Sequence, residues 1–254
     1  MRVLRLNQCQ RGYSVLAFGG FYDSNWGGGA PALPQTDISY FGPPKPTSTG
    51  ARPGSFQSKA VSTPTENPRD AVVRLFALYY KHGHEDYIGE PVSQLEHMRQ
   101  AAALAEAEGF EEEVILAAFF HDLGHLCAHP DEVESMDGFG VVNHEKLGAD
   151  YLRRCGFSER VARLVESHVQ AKRYLTFKHP EYFRQLSPAS RATLAFQGGV
   201  MTAAEATVFE RHPDAALIIR MRQWDDLAKQ EGLPTSSLTP LKNMALRHLQ
   251  RQKP

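Results

Sequence analysis

The stretch that decides the fold is VILAAFFHDLGH, residues 114–125. An unbroken apolar run ends there at an adjacent histidine and aspartate, His121 and Asp122. Such a run is typical of a helix that delivers its polar residues into the protein interior, where they are costly to bury unless a metal ion or hydrogen bonds satisfy them. Residues 114–125 are predicted to form one helix, on which His121 and His125 share a face at i and i+4 and Asp122 is rotated by about 100°.

Further residue types that bind metals are spread over the predicted helices. With the His-Asp pair they form the ordered set His97, His121, Asp122, His144, His168 and Asp225. Imidazole and carboxylate together suit divalent transition metals, and a carboxylate can bridge two ions. The set can therefore hold two metal ions with Asp122 as the bridge. Asp226 is an alternative to Asp225, but Asp225 shares a helical face with Arg222.

The spaced pattern H…HD…H…H…D resembles the HD-domain superfamily of helical metalloproteins. Residues 87–97, YIGEPVSQLEH, are similar to the approach to the first ligand in one branch of it, the mixed-valent diiron oxygenases that cleave phosphonates. Later positions agree with that branch, namely Lys172, Ser190, Thr193 and Arg222. The resemblance covers residues 68–231 and is much more specific than the HD pair alone.

The resemblance implies an all-α HD-domain helical bundle with a dinuclear metal site in its core. It implies two Fe ions as a mixed-valent Fe(II)/Fe(III) pair, and an organophosphonate and O2 as substrates. One iron would be held by His97, His121, Asp122 and Asp225, and the other by Asp122, His144 and His168. The implied reaction cleaves the carbon–phosphorus bond of a 1-hydroxyphosphonate to give a carboxylate and phosphate.

A second set of residues is predicted to bind the substrate. Lys172 lies one turn after His168, where its ammonium can either complement the helix C-terminus or face an anion resting on the metals. We favour the anion site, in which His125 and the hydroxyls of Ser190 and Thr193 are further donors. By resemblance, Arg222 belongs to this set too.

Tyr87 and Glu90 are given roles mainly by the resemblance. Tyr87 is either a packing residue or a lid whose phenol occupies a metal position until substrate arrives. Glu90 is either an ordinary turn residue or the acceptor for a substrate ammonium. A primary ammonium would give glycine as product and a trimethylammonium group glycine betaine, and the sequence leaves this choice open.

Three other functions stay open at this stage. A metal-dependent phosphohydrolase of a nucleotide or phosphomonoester would need the HD pair, although His144 and His168 exceed what one metal requires. A ring-cleaving diiron oxygenase such as myo-inositol oxygenase shares the metal set but would not need Lys172 and the hydroxyls. A non-catalytic binding module would keep its metals only for stability.

Composition limits the remaining possibilities. The chain has 254 residues, 42% hydrophobic content and a formal charge of −1. It can form one good-sized core, and it shows no bulk attraction to nucleic acid or anionic membranes. Cys9, Cys127 and Cys155 are an odd set without ligand spacing, which fits a reducing compartment. No stretch has the roughly 18 to 20 apolar residues that span a bilayer.

Residues 1–66 differ from the rest because they are rich in Gly, Pro, Ser and Thr and lack periodicity. They are predicted to be a disordered leader or linker, and residues 67–254 the catalytic domain. Arg2, Arg5 and Arg11 precede any acidic residue, which is compatible with either a transit peptide or an unstructured extension. The expected location is cytoplasmic, or mitochondrial with a transit peptide, and the oligomeric state cannot be predicted.

Helical periodicity begins at Asn67. The first predicted helix begins at Asn67 and ends before Gly83. Further helices are predicted over 93–108, the HD stretch, 143–156, a segment capped by Ser158, 187–196, 202–209, 215–230 and, more weakly, 238–249.

Overall fold

The computed structural model describes residues 67–87, 89–127, 134–234 and 237–252, and the predicted leader, 1–66, lies outside them. The described part is helical, with isolated bridges but no named strand, which confirms the all-α prediction. Its helices are α1 Pro68–His82, α2 Gln94–Ala107, α3 Glu112–Phe120, α4 Leu123–Cys127, α5 His144–Cys155, α6 Glu159–Lys178, α7 Pro180–Gln185, α8 Pro188–Phe196, α9 Ala203–Glu210, α10 Ala215–Leu227 and α11 Thr239–Arg251.

Capping residues set the predicted helix starts. The Asn67 side chain accepts a hydrogen bond from the Arg69 N–H, directly before the proline that begins α1. Ser93 and Glu96 form a reciprocal capping box at the start of α2, which fixes the helix that carries His97. Helix α5 ends at Gly156, which has a left-handed φ of 88°, a conformation that glycine adopts without steric cost.

Helix α3 is the centre of the bundle. Every residue from Val114 to Phe120 is buried, and α3 packs against α2, α6, α10 and α11. Phe119 and Phe120 are fully buried beside Phe76 and Tyr79 of α1. Full burial of each large apolar side chain stabilises the fold by roughly 1.5 to 3 kcal/mol. The C-terminus of α3 is therefore held firmly inside the core.

The prediction that the HD stretch forms one continuous helix is wrong. Helix α3 ends at Phe120, His121 and Asp122 form a turn, and α4 begins at Leu123. The His125 N–H donates to the Asp122 carbonyl across 3.0 Å, one residue closer than in an α-helix. Because of this break, His121 and His125 do not lie one turn apart on the same face of a regular helix.

Two glycines let α4 and α5 cross closely. A β-carbon at Gly124 would lie 1.9 Å from the carbonyl oxygen of His144, and one at Gly148 would lie 3.0 Å from the Gly124 nitrogen. No other residue type fits at Gly124 without moving the backbone. This close crossing places the first residue of α5, His144, beside Asp122.

The remaining helices differ from the predictions in detail. Helix α7 was not predicted, and α10 ends at Leu227 rather than at Gln230. None of the described helices is both long and apolar enough to cross a membrane.

Candidate metal centre

The carboxylate of Asp122 lies at the centre of four histidines and uses its two oxygens differently. Oδ2 is 3.4 Å from His97 Nε2 and 3.3 Å from His121 Nε2. Oδ1 is 3.3 Å from His144 Nε2 and 3.4 Å from His168 Nε2. Each oxygen therefore faces one histidine pair, as a bridging ligand between two metal ions would.

Backbone carbonyls fix the orientation of all four rings through Nδ1. The acceptors are Ala228 O for His97 at 2.9 Å, Ala118 O for His121 at 2.8 Å, Val141 O for His144 at 3.2 Å and Val165 O for His168 at 2.7 Å. Because a carbonyl only accepts, each Nδ1 carries a proton and a neutral ring leaves Nε2 as a bare acceptor. This is the tautomer that second-shell hydrogen bonds impose on metal-ligating histidines.

The donor set fits metal ions. The Nε2 atoms of His97 and His121 are 3.0 Å apart, and those of His144 and His168 are 3.2 Å apart. Two acceptors at such distances repel each other unless a cation or a proton lies between them. Asp122 Oδ2 and Asp225 Oδ1 are buried without a hydrogen-bond partner among the described residues, which leaves negative charge to be satisfied.

Electrostatics agree with this assignment. Burial alone would lower the pKa of His121, but the Asp122 carboxylate outweighs it and raises that pKa to about 9. The buried carboxylate therefore favours a positive charge at this position. Within the described part of the chain, the groups that can hold a metal are His97, His121 and Asp122 on one side and Asp122, His144 and His168 on the other.

Asp225 completes the first side and is oriented by Arg222. Its Oδ1 is 3.4 Å from His97 Nε2, whereas its Oδ2 accepts from Arg222 at 2.6 Å. Asp226 instead contacts the Arg222 guanidinium and accepts from the Tyr182 hydroxyl at 2.5 Å. The structure thus brings Asp225 to the cluster and leaves Asp226 one contact away from it. Arg222, predicted to bind substrate, is engaged by both carboxylates.

One cavity of about 50 Å³ opens over the cluster. It is lined by eleven of the thirteen predicted site residues, Tyr87, Glu90, Asp122, His125, His144, His168, Lys172, Ser190, Thr193, Arg222 and Asp225, whereas His97 and His121 do not line it. Side chains that the sequence did not single out also line it, among them Gln94, Met136 and Phe139. The predicted substrate residues therefore meet the predicted metal site in one place.

Lys172 forms the cationic part of the cavity wall. Its ammonium donates to Thr193 Oγ1 at 2.9 Å and to the Ser190 carbonyl at 3.3 Å, and neither contact is an acidic partner. Burial, followed by the nearby Arg222 cation, lowers the pKa of Lys172 to about 7. A buried ammonium held by neutral oxygens is matched to an incoming anion. Thr193 donates to Ala189 O at 3.1 Å, so its hydroxyl holds Lys172 in place.

His125 has the opposite tautomer from the four cluster histidines. The Val141 N–H donates to His125 Nδ1 at 3.1 Å, so the neutral ring carries its proton on Nε2. Burial lowers the pKa of His125 to about 3, which keeps the ring neutral near pH 7. Its ring stacks on His144 with centroids 4.1 Å apart. His125 is therefore a hydrogen-bond donor beside the cluster.

Tyr87 covers the first side of the cluster. Its ring stacks on His97 with centroids 4.0 Å apart and an interplanar angle of 12°. Burial, reinforced by the carboxylates of Asp122 and Asp225, raises the pKa of Tyr87 well above its usual value. The phenol is therefore protonated in this arrangement, and the choice between a packing residue and a lid stays a prediction.

Glu90 is already paired, which the sequence did not anticipate. Its Oε1 accepts from Lys229 Nζ at 2.6 Å and from Ser187 Oγ at 2.5 Å. The residue that sequence reasoning missed is Lys229, and its place four residues after Asp225 was a weak signal for it. The sequence also did not identify Gln94, which lines the cavity and whose buried Oε1 has no hydrogen-bond partner among the described residues.

The helical bundle and its His-Asp cluster define an HD-domain metalloprotein, and residues 94–194 match the HD domain family. An uncharacterized protein of Acanthamoeba polyphaga mimivirus is 43% identical over 175 residues, 68% of this chain and 78% of the viral protein. The 1-hydroxy-2-(trimethylamino)ethylphosphonate dioxygenase (glycine-betaine-forming) of Leisingera caerulea is 40% identical over 158 residues, 62% of this chain and 80% of that one. Hydroxymethylphosphonate dioxygenase of Gimesia maris is 39% identical over 176 residues, 68% and 86% of the two chains.

These similarities cover most of each relative. The chain therefore belongs to the HD-domain family and, within it, to the group that includes these two phosphonate dioxygenases. The resemblance that the sequence pattern indicated is confirmed.

Proposed function

We propose that the protein is an iron-dependent dioxygenase that cleaves the carbon–phosphorus bond of a 1-hydroxyalkylphosphonate. The observation that carries this proposal is the anion-binding wall around Lys172, which shares one small cavity with the Asp122 cluster. The names of two relatives, which describe dioxygenases of hydroxylated phosphonates, support it. A phosphonate bound to Lys172 would place its hydroxylated carbon against the cluster.

In this proposal His97, His121, Asp122 and Asp225 hold one iron, and Asp122, His144 and His168 hold the other. The mixed-valent Fe(II)/Fe(III) state follows from the family resemblance. When bound, the irons supply the redox chemistry with dioxygen, and the protein supplies orientation and charge. In the balanced reaction, R–CH(OH)–PO3²⁻ and O2 give R–COO⁻, HPO4²⁻ and H⁺. The carbon is oxidised to a carboxylate, and dioxygen is fully reduced into the products.

The cavity residues have separate roles. The Lys172 ammonium and the His125 Nε2–H bind phosphonate oxygens, and burial makes these charge-assisted contacts stronger than they would be in water. Ser190 Oγ accepts from Arg222 and Lys229, each at 3.4 Å, which leaves its hydroxyl proton available for a substrate oxygen. Arg222 holds Asp225 in the orientation that faces His97.

The test is phosphate release by the iron-loaded protein from three compounds, measured with and without O2. These compounds are hydroxymethylphosphonate, 2-amino-1-hydroxyethylphosphonate and the trimethylammonio analogue of the latter. Release from at least one of them that requires O2 is the expected result. Release that persists without O2 would indicate a hydrolase. Phosphate release from a phosphomonoester, measured in parallel, would then identify that activity. No release from any of the three would reject the proposal.

A further inference from the structure

Glu90 lines the cavity and forms an ion pair with Lys229, which comes from a distant part of the chain. The Glu90 and Lys229 side chains are 7% and 13% exposed, and 2.6 Å separates Oε1 from Nζ. Lys229 follows Ala228, whose carbonyl accepts from His97 Nδ1. The backbone segment that orients the first metal ligand therefore also delivers this ammonium to Glu90.

Further contacts hold the ammonium in place. It lies 5.9 Å from the centroid of the Tyr87 ring, a cation–π distance, and 3.4 Å from both Ser187 Oγ and Ser190 Oγ. Ser187 Oγ also donates to Glu90, so Oε1 has two donors already. The carboxylate charge is compensated from within the protein, before any ligand arrives.

This pairing has a direct consequence for a ligand with a cationic group. An ammonium that binds Glu90 must either displace Lys229 or remain beside it. Displacement leaves a largely buried ammonium without its carboxylate, and coexistence places two cations on one carboxylate in a poorly solvated site. Both cost affinity, whereas a ligand without a cation leaves the pair intact.

The size of the cavity points in the same direction. Its volume is about 50 Å³, so a substituent beyond the phosphonate must find room among the lining side chains. A one-carbon hydroxyphosphonate needs little room beyond its phosphonate group. A trimethylammonium group is bulky and cannot donate a hydrogen bond to Glu90.

We infer that Lys229 is a specificity-determining residue that neutralises Glu90, so that the site selects a 1-hydroxyphosphonate whose substituent is small and uncharged, with hydroxymethylphosphonate as the simplest case. This inference rests on the proposed function. It assigns no part in the chemical step to Lys229, which acts through the charge at the substituent end of the cavity.

The experiment compares kcat/KM for hydroxymethylphosphonate with that for 2-amino-1-hydroxyethylphosphonate in the wild type, Lys229→Met, Lys229→Gln and Lys229→Arg. The wild type should prefer the neutral substrate by about 100-fold. Lys229→Met and Lys229→Gln should shift this ratio toward the ammonium substrate by about tenfold or more, since Glu90 is then unpaired. Lys229→Arg keeps the ion pair and should keep the preference.

Lys178→Met is the matched control, because Lys178 forms an exposed ion pair with Glu210 and should leave the ratio unchanged. A binding readout accompanies the kinetics, namely the dissociation constants of both compounds under anaerobic conditions by calorimetry. Equal use of both compounds by the wild type, or an unchanged ratio in both Lys229→Met and Lys229→Gln, would overturn the inference. If no variant releases phosphate, the proposed function fails, and the dissociation constants still decide the role of Lys229.

Discussion

The metal cluster and the cavity wall that faces it both contain histidine and carboxylate side chains, but these side chains have different hydrogen-bond partners in the two places. Cluster histidines donate from Nδ1 and present a bare Nε2, whereas His125 in the wall accepts at Nδ1. Asp122 in the cluster keeps an oxygen without a hydrogen-bond partner among the described residues, whereas Glu90 in the wall accepts from Lys229 and Ser187 through Oε1. The comparison shows that the backbone and side-chain partners of a residue decide whether it binds a cation or an anion.

Removing the shared carboxylate should break the cluster most completely. In Asp122→Asn, the oxygen that faces each histidine pair belongs to a neutral amide, so both metal positions lose negative charge. The first position still has the Asp225 carboxylate, and the second keeps no carboxylate of the cluster. We expect metal content to fall well below that of the wild type and phosphate release to fall by roughly 1000-fold or more. Elemental analysis and oxygen-dependent turnover measure the two effects.

Asp150→Asn is the control for this change. Asp150 is a partly exposed carboxylate of α5 that pairs with Lys146 and Arg153. Its substitution should change stability by less than about 1 kcal/mol and leave the metal content unchanged. Full metal content in purified Asp122→Asn would show that the carboxylate does not bridge the two sides.

The second prediction affects one side of the cluster through the backbone. In Gly124→Ala the new β-carbon would meet the His144 carbonyl oxygen at 1.9 Å, so α4 and α5 must separate. We expect a loss of about 3 kcal/mol in the free energy of unfolding, and loss of the metal bound by His144 and His168. Denaturant unfolding and metal stoichiometry test this.

Gly109→Ala is the comparison for the glycine change. A β-carbon at Gly109 meets nothing within 4 Å, and only its positive φ of 76° is unfavourable. It should cost about 1 kcal/mol and leave both metals in place. A Gly124→Ala protein with two metals and wild-type stability would contradict the close-crossing argument.

The third prediction separates two neighbouring carboxylates. Asp225 Oδ1 faces His97, whereas Asp226 contacts only the Arg222 guanidinium and the Tyr182 hydroxyl among the described residues. Asp225→Asn should weaken metal binding by about 100-fold or more, and Asp226→Asn by less than about tenfold. Competition titration with a chelator measures both. The reverse order would make Asp226 the ligand.

Sequence spacing predicted the cluster well because its chemistry depends on residue type. Histidine and aspartate are rarely buried without a purpose, so their order on amphipathic helices carried the assignment. It could not show the break between α3 and α4, since the run from Val114 to Phe120 gives no local signal that helical hydrogen bonding stops at His121.

The wall was only partly predictable from the sequence. Lys172, Ser190 and Thr193 were expected together and do line one cavity. The pairing of Glu90 with Lys229 joins positions 139 residues apart, and helical periodicity relates only neighbours on one element. Such pairings arise when the helices pack, so periodicity could not show that Glu90 has a cationic partner within the chain.

The smallest predicted effect concerns Lys172 in the cavity wall, whose substitution should raise stability but weaken phosphonate binding. Burial, and then Arg222, lower the pKa of Lys172 from 10.5 to about 7, so folding disfavours its charged form. Between these two values the unfolded chain binds more protons, and the contribution to stability therefore rises with pH across that window. Below pH 7 the full penalty is present. Lys172→Met should then raise the free energy of unfolding at pH 6.5 by about 2 kcal/mol, and by less at pH 10.

The same substitution should weaken phosphonate binding by roughly 10- to 100-fold, because the anion loses a charge-assisted donor. Lys172→Arg is the control that retains charge at every pH tested. Binding of hydroxymethanesulfonate, whose charge is constant, isolates the lysine: its affinity should fall as pH rises through 7 in the wild type and stay level in Lys172→Arg. A flat wild-type profile, or a Lys172→Met protein that is less stable than the wild type at pH 6.5, would mean that the ammonium is already satisfied by Thr193 and Ser190. The wall would then be a structural feature like the Glu90 pair, with no vacancy for an anion.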